Sequence, residues 1–186
     1  FYVEVLRGIE DYAYENQYAL IMCNFEQNDN KAKHYLNILR SESIDGLIAA
    51  PTNEHDKNVI NIVKKGLPTV CVDRGLIGAD VDVVLVDNRD GAYQAVDYLI
   101  KSGYKRIAYI SGLPQIPSSQ KRKLGYIDAL EANNLPVDES LIKWGDSRHE
   151  SGVKLCDELL KMENPPDAIF AGNNLITLGA LETIHK

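Results

Sequence analysis

The feature of this sequence that most limits its fold is a regular exchange between two hydrophobic periods. Continuous apolar runs of four to six residues recur between amphipathic stretches of ten to fifteen. The runs span Tyr18 to Cys23, Gly46 to Ala50, Thr69 to Val72, Val81 to Val86, Arg106 to Ser111, Leu141 to Trp144 and Ala168 to Ala171. Runs this short, without strict alternation, predict strands buried on both faces, as in parallel sheets covered by helices. The stretches between them repeat at 3.6 residues. Val3, Leu6, Ile9 and Ala13 form one stripe; Ala32, Tyr35, Leu36 and Leu39 a second; Val59, Ile60, Ile62 and Val63 a third; Ala92, Ala95, Val96 and Leu99 a fourth. Further helices are expected over about 119–133, 150–161 and from 175 onward. Gly66 and Gly103 read as helix stops and Pro51 as a strand stop. The class is therefore α/β. Periodicity leaves open whether there is one sheet or two, and the Ser102-Gly103-Tyr104 turn is the candidate division.

Composition narrows the functional classes. A formal net charge of -7 does not favour nucleic-acid binding by this segment, since such sites need a basic patch to displace phosphate counterions. The Lys121-Arg122-Lys123 grouping reads as a solvated helix face. Cys23, Cys71 and Cys156 are odd in number and widely spaced. Buried, reduced thiols explain them better than disulfides or a metal site, with Cys23 and Cys71 expected in strands. No secretory leader or membrane-length apolar run is visible, so the expected compartment is cytoplasmic, with no membrane partner. The opening residue is Phe1 and the final residues still read as helix, so both ends are expected to be cut from something longer.

In open α/β sheets, ligands bind beyond the carboxyl ends of the strands, where helix N-termini also point. That rule selects Asn24, Pro51-Thr52, Asp73-Arg74, Asp87-Asn88, Ser111-Gly112, Gly145-Asp146 and Asn173-Asn174. Short polar groups of this kind cap helices and also recognise polar ligands. Asp73 beside Arg74 is either a surface ion pair or a carboxylate and guanidinium fork offered to a ligand. Trp144, the sole tryptophan, is either a core or rim residue or an aromatic floor for a ligand. No dinucleotide glycine fingerprint, P-loop or nucleophile elbow is present, and Ser111 lacks the leading glycine of the last. His34, His55, His149 and His185 have no ligand spacing and are expected at solvent-facing or capping positions. Nothing here predicts an enzyme, a cofactor or a metal.

From Val86-Asp87-Asn88 through Gly91, Ala95, Leu99 and Gly103 to the run from Arg106 to Gly112, the sequence closely resembles the LacI-type family of bacterial repressors. The opening from Phe1 to Glu10 fits as well. So do Ile44 to Ile48, Arg122 with Gly125-Tyr126, Gly145-Asp146 with Glu150-Ser151-Gly152, and Ile169 to Leu181. The resemblance implies an incomplete fragment of a type I periplasmic-binding-protein-like core, with two Rossmann-like lobes carrying parallel sheets around an effector cleft. Residues 1–103 would form the N-terminal lobe, lacking its first strand, and 104–186 a truncated C-terminal lobe. Such a piece is expected to fold poorly by itself, because the missing strand would be interior.

Carried over position by position, the resemblance assigns effector contacts to Phe1, Tyr2, Asp73, Ser118 and Arg122. Ser147 stands where relatives place an aromatic ring, so Trp144 would have to supply that surface if anything does. Asn174 stands where the common pattern has Asp, replacing a pure acceptor by a group that also donates. The implied function is the effector-sensing core of a transcription regulator, with operator DNA bound through a head domain absent from this chain. Its implied partners are a sugar, a sugar phosphate, a nucleoside-like molecule or a protein corepressor, and a second copy in a homodimer. The alternative is a solute-binding protein of a sugar transport system, which shares the core.

Overall fold

The structure is a computed structural model and describes residues 2–25 and 28–186. It divides into two units, Phe1–Asp45 and Gly46–Lys186.

The first unit holds two helices, α1 (Tyr2–Glu15) and α2 (Asp29–Ser41). The start of α2 is set by Asn28, whose side-chain carbonyl accepts from the backbone N–H groups of Asn30 and Lys31, each at 3.0 Å. Ala32 and Leu39 are its buried residues. Helix α1 has the predicted periodicity but no buried residue. The strand predicted over 18–23 is not formed: residues 18–25 are irregular, Leu20, Ile21 and Met22 are exposed, and Cys23 is half-buried rather than a core thiol. A strand exists only through hydrogen bonds to a neighbour, and no described residue pairs with this run. Hydrophobic pattern registers side chains and says nothing of the partner backbone.

In the second unit, β1 (Leu47–Ala49), β2 (Thr69–Val72) and β3 (Asp82–Val84) form a parallel sheet in that order. Leu47 pairs with Thr69, and Cys71 with Val83. Helix α3 (Lys57–Lys64) connects β1 to β2 and buries Val59 and Ile62. Cys71 is fully buried, as expected of a strand thiol, and desolvation raises its pKa, with Asp56 adding to the effect. The strand predicted over 81–86 is shorter than its apolar run. It is the edge of the sheet, all three of its residues are exposed, and Val83, Val84, Leu85 and Val86 carry apolar surface to solvent.

The second sheet has β4 (Ile107–Ser111) at its centre, between β5 (Ile142–Trp144) and β6 (Ala168–Ala171), all parallel. Every residue of β4 is buried. Its period of two divides the core. Ile107 and Tyr109 pack with Val96 of α4 (Asn88–Lys101) and with Tyr126, Ala129 and Leu130 of α5 (Pro117–Ala132). Ala108 and Ile110 pack with Cys156 and Leu159 of α6 (His149–Leu160) and with Ile176 and Ala180 of α7 (Asn174–Ile184). Tyr109 stacks on Tyr126 and on Phe170, with ring centroids 5.5 and 5.2 Å apart. Each fully buried large side chain in these layers contributes about 1.5–3 kcal/mol of transfer free energy. Here the prediction of strands covered on both faces is met.

Helix α4 precedes the expected division near residue 103, yet Tyr93, Val96, Leu99 and Ile100 pack on the core of the second sheet. Gly125 makes its approach to α5 possible: a Cβ there would collide with the carbonyl of Arg89 and lie 2.9 Å from the amide of Tyr93. Across the same seam, the Arg89 guanidinium binds the Asp128 carboxylate through two nitrogens.

Candidate functional site

Polar groups collect at the carboxyl edge of both sheets in the second unit. Beyond β1 and β2, Thr52 donates its amide and hydroxyl to Asp56 Oδ2 at 3.0 and 3.1 Å. The other oxygen of Asp56 caps α3 by accepting from the amides of Asn58 and Val59. Arg74 donates Nη1 to the Thr52 carbonyl at 3.0 Å and Nη2 to Asp73 Oδ2 at 2.8 Å. Asp73 takes a left-handed backbone, with φ of 72°, and its amide donates to the Val84 carbonyl. The Asp73–Arg74 pair is not on the surface: the two side chains are only 10% and 7% exposed. Among the described residues, buried Arg74 Nε has no hydrogen-bond partner.

The second edge is richer. The first two turns of α5 carry Ser118, Ser119 and Arg122. That helix starts at Ile116-Pro117 with no side-chain cap; Pro117 has no amide hydrogen, and the amides of Ser119 and Gln120 donate to the Ile116 carbonyl. Beyond β4, the backbone of Gly112 lies against the hydroxyls of Ser147 and Ser119; a Cβ would collide with the first and sit 2.9 Å from the second. Beyond β5, Ser147 adopts a φ of 68°. Beyond β6, Asn173 caps α7 by accepting from the Ile176 amide at 2.9 Å, and its Nδ2 donates to the Ser147 carbonyl at 3.3 Å.

Arg122 is the best-anchored group on this edge. Its Nε donates to Asn88 Oδ1 at 2.8 Å, and its Nη1 donates to the Gly172 carbonyl. Among the described residues Nη2 makes no hydrogen bond. The solvated helix face expected of Lys121-Arg122-Lys123 therefore does not hold for its middle residue, which is half-buried. The partners responsible lie 34 and 50 positions away, beyond the reach of local pattern.

The predicted contacts are distributed unevenly. Ser118 is buried, Ser147 half-buried and Asn174 exposed, and with Arg122 they belong to the second edge. Asp73 belongs to the edge of the first sheet. Trp144 turns to the α5 side of its sheet, packed against the core, with Lys123 Nζ 5.8 Å from its ring centroid. Tyr2 is exposed at the first residue of α1 in the other unit, and Phe1 lies outside the described residues. Thr52, Arg74, Asn88, Ser119, Gly172 and Asn173 were absent from the predicted contacts. All but Ser119 and Gly172 stood in the strand-end segments, where capping was an equally good explanation; Asn173 both caps its helix and bridges to Ser147.

The groups gathered on this edge are hydrogen-bonding groups. Ser111, the one strand-end serine resembling a nucleophile, is fully buried and donates its hydroxyl to Tyr109 at 3.0 Å. Burial raises the Tyr109 pKa, which makes that phenol a poor base at neutral pH. The edge instead offers hydroxyls, amides, an uncapped helix start and a fixed guanidinium, suited to a ligand with several oxygens. No helix among the described residues is long and apolar enough to cross a membrane.

Comparison with known proteins gives a consistent result. The profile of the family described as periplasmic binding proteins and sugar binding domain of LacI family matches residues 1–186. Catabolite control protein A of Priestia megaterium is 35% identical over 182 residues, covering 97% of this chain and 55% of that protein. The HTH-type transcriptional repressor PurR of Yersinia pestis bv. Antiqua is 33% identical over 184 residues, covering 97% of this chain and 54% of the repressor. Among solved structures, the transcription regulator CcpA of Lactococcus lactis superposes with a TM-score of 0.89 at 26% identity, over 100% of this chain and 68% of that one. The chain thus spans about half the length of these curated relatives.

Proposed function

The chain belongs to the family of periplasmic binding proteins and LacI-type sugar-binding domains, and from that premise we propose that it is the effector-sensing core of a DNA-binding transcription regulator and not an enzyme. The two curated relatives named above are a control protein and a repressor, which favours regulation over solute transport. In this reading a small polar effector occupies the carboxyl edge of the second sheet. Its binding free energy shifts the balance between two arrangements of the core and so changes operator affinity through a head domain. Pairing of two copies, matched to a two-fold operator, and a cytoplasmic location belong to the same proposal.

One observation carries this reading: Arg122 is pinned through two of its nitrogens, and among the described residues its Nη2 makes no hydrogen bond. A guanidinium held in a fixed plane presents its remaining donors in a defined direction, as recognition of a sugar hydroxyl, a phosphate or a nucleobase oxygen requires. Ser118, Ser147, Asn173 and Asn174 supply further donors and acceptors on this edge, and Asp73 a carboxylate on the edge of the first sheet. The packing of α4 on the second sheet supports a lobe boundary in residues 85–87, ahead of the turn at 103.

The test is calorimetric titration of the full-length protein and its Arg122→Ala variant with glucose 6-phosphate, ribose and hypoxanthine. One of the three is expected to bind the parent and to bind the variant at least about tenfold more weakly, the scale of a charge-assisted hydrogen bond. Equal affinity in both proteins would remove Arg122 from the site.

A further inference from the structure

The first sheet ends at Val84, and Asn88 begins a helix that packs on the core of the second sheet. Residues 85–87 are therefore the crossover from one sheet to the layers of the other. Asn88 stands where it lands. The side chain is 6% exposed and uses both ends of its amide. Nδ2 donates to the Val86 carbonyl within the crossover at 3.1 Å, and Oδ1 accepts from Arg122 Nε at 2.8 Å. The backbone amide of Asn88 also donates to Val86, at 2.8 Å.

We propose that Asn88 is a positioning residue that couples the Arg122 guanidinium to the crossover between the sheets, so that a group bound to Arg122 and the path of residues 85–87 influence each other. The inference rests on the reading of Arg122 as an effector contact. The guanidinium is planar and rigid, so fixing Nη2 on a ligand fixes the direction of Nε. Nε in turn orients an amide whose other end holds the crossover. The Nη1 bond to Gly172, beyond β6, anchors the same plane to the second sheet and makes it a fulcrum. By linkage the effect is reciprocal: a crossover that moves turns the amide, and the amide turns the arginine. The two ends of the amide serve the two contacts separately. Aspartate would keep the acceptor for Arg122 but would face the Val86 carbonyl with a second acceptor, and alanine would lose both.

That asymmetry gives the experiment. Hydrogen–deuterium exchange is measured in the full-length, unliganded protein and in Arg122→Ala, Asn88→Ala and Asn88→Asp, with circular dichroism to check folding. Arg122→Ala is expected to speed exchange in residues 85–91 by about fivefold, the scale of one hydrogen bond. Asn88→Ala is expected to loosen both this segment and the turn of α5 that carries Arg122. Asn88→Asp should loosen 85–91 while leaving the α5 turn at its parental rate. A folded Arg122→Ala protein with unchanged exchange at 85–91 overturns the coupling, as does an α5 turn equally loosened by alanine and aspartate. Should Asn88→Ala fail to fold, the Arg122→Ala arm decides alone. Coupling without any Arg122-dependent ligand in the calorimetry would sink the effector reading and spare the joint. The opposite pattern would sink the joint and spare the effector reading.

Discussion

The hydroxyl of Tyr126, on α5, donates to the backbone carbonyl of Ile107, on β4, at 2.7 Å inside a core where neither residue is more than 1% exposed. It gives the central strand a second attachment to the helix layer in addition to apolar contact. Burial, with the nearby Asp138 and Glu139 carboxylates, pushes the phenol up to about 12. Tyr126→Phe is expected to cost about 1–2 kcal/mol in urea unfolding, since the Ile107 carbonyl keeps its desolvation without this donor. The pH dependence has a definite sign. The folded state holds this proton more tightly than the unfolded chain, so the contribution is intact below about pH 10 and is lost as pH rises toward 12. The phenylalanine variant should lack this part of the alkaline loss; identical alkaline profiles would rule the phenol out as its source.

Glycines separate into packing positions and open ones. A Cβ on Gly152 would collide with the Ile176 carbonyl, because α6 and α7 meet there by backbone. Gly152→Ala is expected to lower stability by about 1–3 kcal/mol. Gly91, inside α4, has nothing within 4 Å of a built Cβ. Gly91→Ala should therefore raise stability by about 0.5–1 kcal/mol through helix propensity. Thermal unfolding of the two variants should move in opposite directions.

Replacing Arg74 breaks a buried pair. Arg74→Ala removes the partner of Asp73 Oδ2 and the donor to the Thr52 carbonyl together. The expected loss is about 3–5 kcal/mol, characteristic of a buried charge parted from its counterion. Arg74→Lys should fall between, since an ammonium cannot reproduce the fork that spans both acceptors. A loss below about 1 kcal/mol in denaturant titration would mean that the pair behaves as a solvated one.

Asn174 is the first residue of α7 and is exposed. A negative charge at a helix start interacts favourably with the helix dipole, so Asn174→Asp is expected to stabilise the fold by about 0.3–1 kcal/mol at low ionic strength. The gain should shrink in high salt. Failure to see it in salt-dependent melts would indicate that the charge is offset locally.

The second sheet was readable in advance because its signals are local and redundant. Every residue of the run from Ile107 to Ser111 is buried, and the helices around it keep their 3.6-residue stripes. The apolar run at 18–23 was read as a strand on the same kind of evidence, but strand formation requires a neighbouring backbone that pattern does not register. The site divides in the same way. Strand-end polarity pointed to the segments carrying Asp73, Asn88 and Asn173, and resemblance pointed to Ser118 and Arg122. Neither exposed the contact that matters most, because Asn88 and Arg122 are joined across 34 positions of chain. Nor did adjacency reveal that Asp73 and Arg74 are buried, since that depends on Thr52 arriving from the end of β1.

The free edge of β3 has a consequence for the behaviour of this chain in a tube. Val83 through Val86 present consecutive apolar side chains at a strand that, among the described residues, has a neighbouring strand on one side only, the arrangement that recruits a strand from another molecule. Preparations of these 186 residues should therefore self-associate with rising concentration. Val84→Lys, which places a charge at the outer strand where pairing would begin, should suppress this in light scattering while leaving the folded spectrum intact. The share of self-association that this substitution removes would then lie in four residues at one margin of the fold.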